Sequence, residues 1–166
     1  DMASHYGISH MPVREALRQL ESERVVEIQS HRGAKLRTVD AEFVGNMYDL
    51  RGALEVLLVG RCVERASKVE LAPLPGFAAE YERLIATEDR GRLLQANREL
   101  HSLIYRAARN PDAERIIGQG WELINAYRMR FGFGAERLQT IAREHRDLVE
   151  AIMARDHARA VAAAQR

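Results

Sequence analysis

The sequence predicts a mainly α fold, in which a partial winged helix-turn-helix is followed by an all-α helical bundle. Two observations support this fold class. The first 39 residues carry signals for a helix, a turn, a second helix and a small hairpin, in that order. From residue 41 onward, apolar residues recur at helical spacing and strand signals almost disappear. We therefore divide the chain into two units, residues 1–39 and residues 40–166.

The first unit begins with a short helix that Gly7 ends, so we expect a further segment upstream of Asp1. A second helix runs from His10 to about residue 23, with Pro12 in its first turn, where the missing amide hydrogen costs nothing. Two strands, 25–28 and 34–39, then flank a turn in which Gly33 can take positive φ. Helix, turn, helix and hairpin is the order of a winged helix.

The second unit is predicted to contain six helices. Apolar periodicity defines the helices, and prolines, glycines and capping residues separate them. The first helix carries one apolar stripe, formed by Phe43, Met47, Leu50, Leu54, Leu57 and Cys62. The predicted helices are 41–66, a shorter one that follows Pro73 and Pro75 and ends near Thr87, then 89–108, 111–131, 135–154 and a last one capped by Asp156.

Composition indicates a globular protein of a reducing compartment. Hydrophobic residues make up 46% and charged residues 30% of the 166 residues, the balance of ordinary globular domains. We find no apolar run near the roughly 20 residues that span a bilayer and no pattern of a secretion signal. The single cysteine, Cys62, cannot close an intrachain disulfide. We expect a cytoplasmic protein with no membrane partner.

Local sequence, rather than net charge, points to DNA. The net charge is only +1, but residues 28–37 hold three basic residues and no acid, enough for phosphate contacts within a larger interface. In a helix-turn-helix, the N-terminal residues of the second helix meet base edges. Arg14 can donate two hydrogen bonds to a guanine, and Arg18 would meet a phosphate. The candidate DNA contacts are Ser9, His10, Met11, Arg14, Arg18 and, in the wing, His31 and Arg32. The alternative for each is an exposed residue without a role.

Three polar side chains of the second unit are predicted to point into the bundle. Asn97 and His101 are four residues apart on one helix face, and His145 lies within the apolar stripe of another helix. Neutral imidazoles on separate helices suit a borderline divalent ion, with a position left open for a ligand. For each histidine alone, the alternative is a core residue with satisfied hydrogen bonds.

Two arginines are candidates for binding a ligand carboxylate, because a guanidinium matches that group with two parallel hydrogen bonds. Arg51 lies on the first bundle helix, and Arg128 is the second candidate. The alternative for Arg51 is a surface ion pair with Glu55, four residues later.

The first unit resembles the DNA-binding signature of the GntR family of bacterial regulators. About 30 residues carry the resemblance, in the stretch YGISHMPVREALRQLESERVVEIQSHRGAKL. The core PVREAL, a following leucine and acidic position, and the hydrophobic wing ending in HRG occur in order. The resemblance implies that Arg14 is the principal base reader and that the other candidate contacts support it.

The second unit resembles the FCD domain, the ligand-binding domain of the FadR subfamily, and its six predicted helices suit the shorter, VanR-like variant. The similar segments are DLRGALE at 49–55, NRELHSLIYRAARNP at 97–111 and EHRDLVEAIMARDHARA at 144–160. The resemblance implies a metal site of Asp or Asn, a histidine four residues later and two further histidines. The first three correspond to Asn97, His101 and His145. Asn97 replaces the commoner aspartate, the fourth histidine would lie just beyond Arg166, and His157 is too early to replace it.

The sequence therefore predicts a ligand-responsive DNA-binding transcription regulator, acting as a repressor. We expect a homodimer that binds a pseudo-palindromic double-stranded DNA operator, a divalent metal ion (Zn, with Ni or Mn possible) and a small carboxylate effector. Two other classes stay open. A metal-dependent helical enzyme would use Asn97, His101 and His145, but no convincing general base stands beside them. The other class is an interaction scaffold without a ligand.

Overall fold

The computed structural model describes residues 2–30, 32–87 and 89–165. In these ranges the first unit contains α1 (Met2–Tyr6), α2 (His10–Ser22), β1 (Val26–Gln29) and β2 (Gly33–Leu36). The second unit contains α3 (Ala41–Arg65), α4 (Lys68–Leu71), α5 (Leu74–Ile85), α6 (Arg90–Ala107), α7 (Pro111–Gly118), α8 (Trp121–Phe131), α9 (Ala135–Met153) and α10 (His157–Ala164). The predicted fold class, a partial winged helix-turn-helix followed by a helical bundle, is confirmed.

Backbone turns and one side chain hold the winged unit together. Gly7 takes φ 63°, and the next residue, Ile8, closes the turn by donating its N–H to the Ala3 carbonyl at 3.1 Å. The Glu21 carboxylate accepts the N–H of Ile28 at 3.1 Å and so ties α2 to β1. The strands β1 and β2 pair antiparallel, and β2 ends at Leu36, three residues before the predicted end.

The main core lies between the C-terminal half of α3 and helices α6, α9 and α10. Leu58, Leu100, Ile104 and Ile152 are fully buried there. Gly60 lets α10 pack closely on α3, because a Cβ at this position would lie 3.0 Å from Nε2 of His157. A side chain there would press on the first turn of α10.

The apolar stripe predicted for α3 is partly wrong. Phe43, Met47 and Cys62 are buried as expected, but Leu50 is 53% and Leu57 is 42% exposed. At 3.6 residues per turn, both leucines lie at one edge of the buried arc. The centre of the buried face of α3 lies on the side that carries Glu55. A charged residue therefore faces the interior, which the apolar pattern does not predict.

The predicted helix 111–131 is wrong as one element, because it is divided into α7 and α8. Gln119 is extended (φ −66°, ψ 130°), and Gly120 takes φ 72° and ψ −4°, a left-handed conformation that glycine adopts without strain. Together with the additional α4, which Ser67 and Glu70 cap reciprocally, this division gives eight helices after residue 40 in the described ranges, where six were predicted.

None of the helices in the described part of the chain is both long and apolar enough to cross a bilayer.

Candidate ligand cavity and nucleic-acid interface

A cavity of about 620 Å³ lies inside the bundle, with walls from α3, α5, α6, α8, α9 and α10. It collects every metal and carboxylate candidate that the sequence singled out, although these residues come from four helices. The five are Arg51, Asn97, His101, Arg128 and His145.

The two candidate imidazoles meet in this cavity. The ring centroids of His101 and His145 are 5.3 Å apart in an edge-to-face arrangement, and the centroid of the Tyr81 ring lies 4.7 Å from that of His145. His145 is only 5% exposed. Within the described residues, its Nδ1 has no hydrogen-bond partner, which is uncommon for a buried polar atom.

Burial also keeps the His145 imidazole neutral. Removal from water, reinforced by the charge of His101, lowers its pKa to about 3. A neutral imidazole has a lone pair on one ring nitrogen, which is the form that binds metal ions. His145 therefore presents a ligating group near neutral pH.

A buried carboxylate organises the opposite wall. Oε1 of Glu55 lies 2.6 Å from Nδ1 of His101 and accepts the Tyr105 hydroxyl at 3.0 Å, and Oε2 lies 3.2 Å from Nε of Arg51. Nη2 of Arg51 in turn donates to the Tyr105 hydroxyl at 2.8 Å. Burial alone would raise the pKa of Glu55, but the charges of His101 and Arg51 and the two hydrogen bonds outweigh it and hold that pKa well below its usual range.

Because an ionised carboxylate only accepts hydrogen bonds, Glu55 directs the proton of His101 to Nδ1. In the neutral form of the ring, which is the form that binds a metal ion, the lone pair then lies on Nε2, as in metal sites where a carboxylate holds a ligating histidine. Asn97 lines the same cavity one helical turn earlier. Two imidazoles and an amide oxygen suit a divalent ion, although no group of three His, Cys, Asp or Glu converges among the described residues.

The environment of Arg51 differs from the surface ion pair that was its alternative explanation. The pair with Glu55 exists, but both side chains are nearly buried. From the sequence, Glu55 was expected only as a surface partner of Arg51, and Tyr105 was not expected at the site. The available signal was spacing, since Glu55 lies four residues after Arg51 and Tyr105 four after His101.

Arg128 is held by aromatic groups. Its guanidinium lies 4.8 Å from the centroid of Trp121, 5.1 Å from that of Phe133 and 5.4 Å from that of Tyr48. Its Nε donates to the Tyr48 hydroxyl at 3.1 Å, and its Nη2 bonds the same oxygen. In the described ranges no carboxylate pairs with Arg128, whereas Arg137, a third arginine of the cavity, pairs with Glu144 at 2.8 Å. Among the described residues, Arg128 is thus a cavity arginine that no carboxylate contacts in an ion pair.

The DNA-contact candidates lie on one exposed helix and the turn of the hairpin. Ser9 occupies the N-cap of α2 but its side chain makes no capping hydrogen bond, so its hydroxyl is not used to cap the helix. Met11 is 71% exposed, and no described residue of α2 is buried. His31 lies outside the described residues. The exposed candidates are Ser9, His10, Met11, Arg14, Arg18 and Arg32.

A small apolar cluster joins the winged unit to the bundle. Its buried members come from α3 and α8, and residues flanking the hairpin strands pack against them. The N–H of Gly120, which precedes α8, donates to the carbonyl of Glu23, the C-cap of α2, at 2.9 Å. The cluster contains Phe43, Met47, Leu123 and Ile124, with Val25, Val39, Val44 and Trp121 packed against them.

Comparison with known families matches both parts of the chain. Residues 46–166 match the FCD domain, and residues 1–36 match bacterial regulatory proteins of the gntR family. The chain is 29% identical over 153 residues to the uncharacterized HTH-type transcriptional regulator YdhC of Bacillus subtilis, covering 91% of this chain and 68% of that protein. It is 25% identical over 167 residues to the HTH-type transcriptional repressor GlaR of Escherichia coli, covering 96% and 76%.

Solved structures agree in fold. Escherichia coli McbR/YncC superposes with a TM-score of 0.79 at 22% identity, over 98% of this chain and 77% of that chain. A GntR family member from Pseudomonas syringae superposes with a TM-score of 0.58 at 27% identity, over 99% and 68%. These matches indicate a transcription regulator and not an enzyme. The chain belongs to the GntR family of bacterial regulators that carry an FCD domain.

Proposed function

We propose that this chain is part of a cytoplasmic, homodimeric repressor that binds a pseudo-palindromic DNA operator and releases it when a small carboxylate binds beside a divalent metal ion in the helical unit. One observation carries the effector part of this proposal. One cavity is lined by a buried neutral histidine, a second histidine oriented by a carboxylate and an arginine that pairs with no carboxylate of the described residues.

For the metal we propose Asn97, His101 and His145 as ligands of Zn, with Ni or Mn as alternatives. The unpartnered Nδ1 of His145 and the Glu55 contact to His101 support this set. The Asn97 amide carries no charge, so it neutralises none of the ion's double positive charge. An aspartate at this position would neutralise one unit of it. When bound, the ion supplies an electrophilic position for a ligand oxygen.

For the carboxylate we propose Arg128 as the principal anchor and Arg51 as the second. Arg51 already has a carboxylate partner in Glu55 and a hydroxyl partner in Tyr105. Of the described side chains, those that bond or stack with Arg128 are a hydroxyl and aromatic rings, so none of its partners is an anion that would compete with an incoming carboxylate. The aromatic walls favour an effector with an apolar body.

For DNA we propose the exposed front of α2 and the hairpin, within a winged unit that spans residues 1–39. Arg14 and Arg18 are exposed on α2, as base and phosphate contacts require, and His31 is included from the sequence alone. Repression is supported by the relative that is named a repressor. We place the chain in the FadR subfamily on the motif resemblance.

The decisive experiment is calorimetric titration of the full-length protein, stripped of metal with EDTA, first with Zn²⁺, Ni²⁺ or Mn²⁺ and then with acetate, succinate, citrate or benzoate. We expect metal binding and a carboxylate affinity that R128Q reduces by about tenfold or more, as the loss of a charge-assisted hydrogen bond implies. The control R130Q changes an exposed arginine on the same helix that does not line the cavity.

If neither a metal nor a carboxylate of the panel binds, the effector part of the proposal is wrong, and the result favours an interaction scaffold without a ligand for the helical unit. If R130Q weakens carboxylate binding as strongly as R128Q does, the anchor is not Arg128.

A further inference from the structure

We infer that Trp121 couples the ligand cavity to the DNA-binding unit, as a positioning residue whose ring is held by the two cavity arginines. This inference rests on the proposed function of the cavity. The guanidinium of Arg51 lies 4.2 Å and that of Arg128 4.8 Å from the Trp121 ring centroid. Both arginines line the cavity, whereas Trp121 does not. Its ring therefore lies behind the groups that a carboxylate would engage.

The backbone next to Trp121 is hydrogen-bonded to the winged unit. Trp121 is the first residue of α8 and follows Gly120, whose N–H donates to Glu23 at the end of α2 at 2.9 Å. Trp121 also packs against the buried cluster of Phe43, Met47, Leu123 and Ile124, against which Val25 and Val39, the residues flanking the hairpin, pack as well. A displacement of the indole thus acts on both elements that are proposed to touch DNA.

Gly120 is closely fitted at this junction. A Cβ on it would lie 3.2 Å from Cε and 3.4 Å from Sδ of Met47, and its φ is 72°. The backbone is thus confined between α3 and the winged unit, so a shift of Trp121 is transmitted to the bond with Glu23 instead of being absorbed locally.

The Trp121 indole and a bound carboxylate would compete for the guanidinium groups of the two arginines, which gives an anion-free state and an anion-bound state. Without an anion, both arginines lie over the indole, an attraction that strengthens when it is shielded from water. A carboxylate forms stronger, charge-assisted hydrogen bonds with the same groups. It draws Arg128 towards the cavity, the indole loses one of its cationic neighbours, and the first turn of α8 moves away from Glu23. Differential contact in the two states is what coupling between sites requires.

The test measures amide hydrogen exchange of the full-length protein, with and without the carboxylate of the panel that binds most tightly. We expect the exchange rate of the Gly120 amide and of residues 23–29 to rise about threefold on binding in the wild type, the size that a modest coupling gives. Trp121 is the single tryptophan of this sequence, so the part of the fluorescence that W121F removes reports the change in the ring's surroundings in parallel.

Two substitutions separate coupling from binding and folding. W121L removes the aromatic ring but keeps an apolar side chain, and we expect its carboxylate affinity to stay within about threefold of wild type while the exchange response disappears. W121F retains a weaker aromatic face and restores part of the response even if W121L folds poorly. Y127L, which removes an exposed aromatic residue from the same helix, leaves the response intact.

A full exchange response in both W121L and W121F overturns the coupling role and leaves the cavity as a binding site. A response lost equally in Y127L also overturns it, because α8 as a whole would then be the sensitive element. Absence of carboxylate binding in the wild type removes the proposed effector function itself, and the coupling with it.

Discussion

Glu55 shows what a single residue adds to this cavity. The inward direction of His101 and His145 could be predicted, because both lie among apolar residues at helical spacing. The role of Glu55 could not, since its partner Tyr105 is 50 residues away in the chain and on another helix. Periodicity assigns a residue to a face of its own helix but does not say which side chain of another helix will meet it. The buried network became visible only when α3 and α6 were placed together.

Replacing that carboxylate should be costly. E55Q leaves Arg51 and His101 without their anion, and removal of one member of a buried charged group costs about 3 to 5 kcal/mol. Urea unfolding of E55Q measures the loss. The matched control E64Q lies on the same helix with an exposed side chain and should change stability by less than about 0.5 kcal/mol. Equal losses in the two variants would mean that the Glu55 network does not stabilise the fold.

His145 should make stability depend on pH. Its pKa falls from 6.5 in the unfolded chain to about 3 in the folded one, so protonation favours the unfolded chain. The free energy of unfolding is therefore highest, as far as His145 is concerned, above about pH 6.5. It decreases as pH falls toward 3, by up to about 1.4 kcal/mol per pH unit. Because the pKa of Glu55 is lowered from 4.5, its contribution declines only below that pH.

The range from pH 6.5 to 4.5 therefore isolates the histidine. In metal-free buffer, urea midpoints of the wild type should fall between these values, and H145Q should show a flatter dependence. H5Q, which removes an exposed imidazole, should follow the wild type. A wild-type midpoint independent of pH in this range would contradict a neutral, buried His145.

At the scale of elements, the main difference from the prediction is the separation of α7 from α8 within the helix predicted over 111–131. The sequence offered Gly118 and Gly120, yet the apolar pattern continues through them, and periodicity alone favoured one helix. What decides the break is tertiary: Gly120 donates to Glu23 of the winged unit and faces Met47 of α3. The strong stops were predicted well, such as Asn110 with Pro111 and the cap at Asp156, because their chemistry is local.

The two glycines should respond differently to the same change. G120A puts a Cβ into a left-handed backbone, at a cost of about 1 to 2 kcal/mol, and presses it against Met47. G118A should leave stability unchanged or raise it by up to about 1 kcal/mol, because Gly118 is helical and nothing lies within 4 Å of its added Cβ. Chemical denaturation of both variants makes the comparison, and a larger loss in G118A would contradict the assigned break.

The recognition helix gives a prediction of its own. R14A should weaken binding to a selected operator by about 1 to 3 kcal/mol and relax the preference at one base pair. R18A should weaken binding to all sequences alike and reduce the slope of log affinity against log salt by about 0.9. Fluorescence anisotropy at several salt concentrations distinguishes the two. A salt slope reduced by R14A with sequence preference intact would assign Arg14 to phosphate instead.

For the whole molecule, the order of the two units was visible in the sequence, whereas their contact was not. Helix, turn, helix and hairpin, then a helical bundle, follow from patterns within about 20 residues. The apolar cluster that joins the units combines Val25, Phe43 and Leu123, and no local pattern relates these positions. Sequence signals of this range specify the units but leave their docking to packing.

If the protein is a dimer, its two-fold symmetry should appear in the protection pattern on the operator DNA. If two copies bind DNA with two-fold symmetry, footprinting of the full-length protein will protect two half-sites about one helical turn apart, roughly 34 Å. Sedimentation equilibrium of this chain should then give about twice its mass of 18.8 kDa. Protection of one unsymmetrical half-site by a monomer would contradict the assembly.

The close packing at Gly60 has a further consequence for the interior of the bundle. Helix α10, which rests on Gly60 through His157, also supplies Ala163 and Ala164 to the cavity wall, and its C-cap Gln165 lines the cavity as well. Gly60 itself does not border the cavity. A single methyl group at Gly60 would therefore displace the first turn of α10 and, with it, the C-terminal end of the helix that lines the cavity. The substitution would change the shape of the effector cavity although Gly60 does not line it.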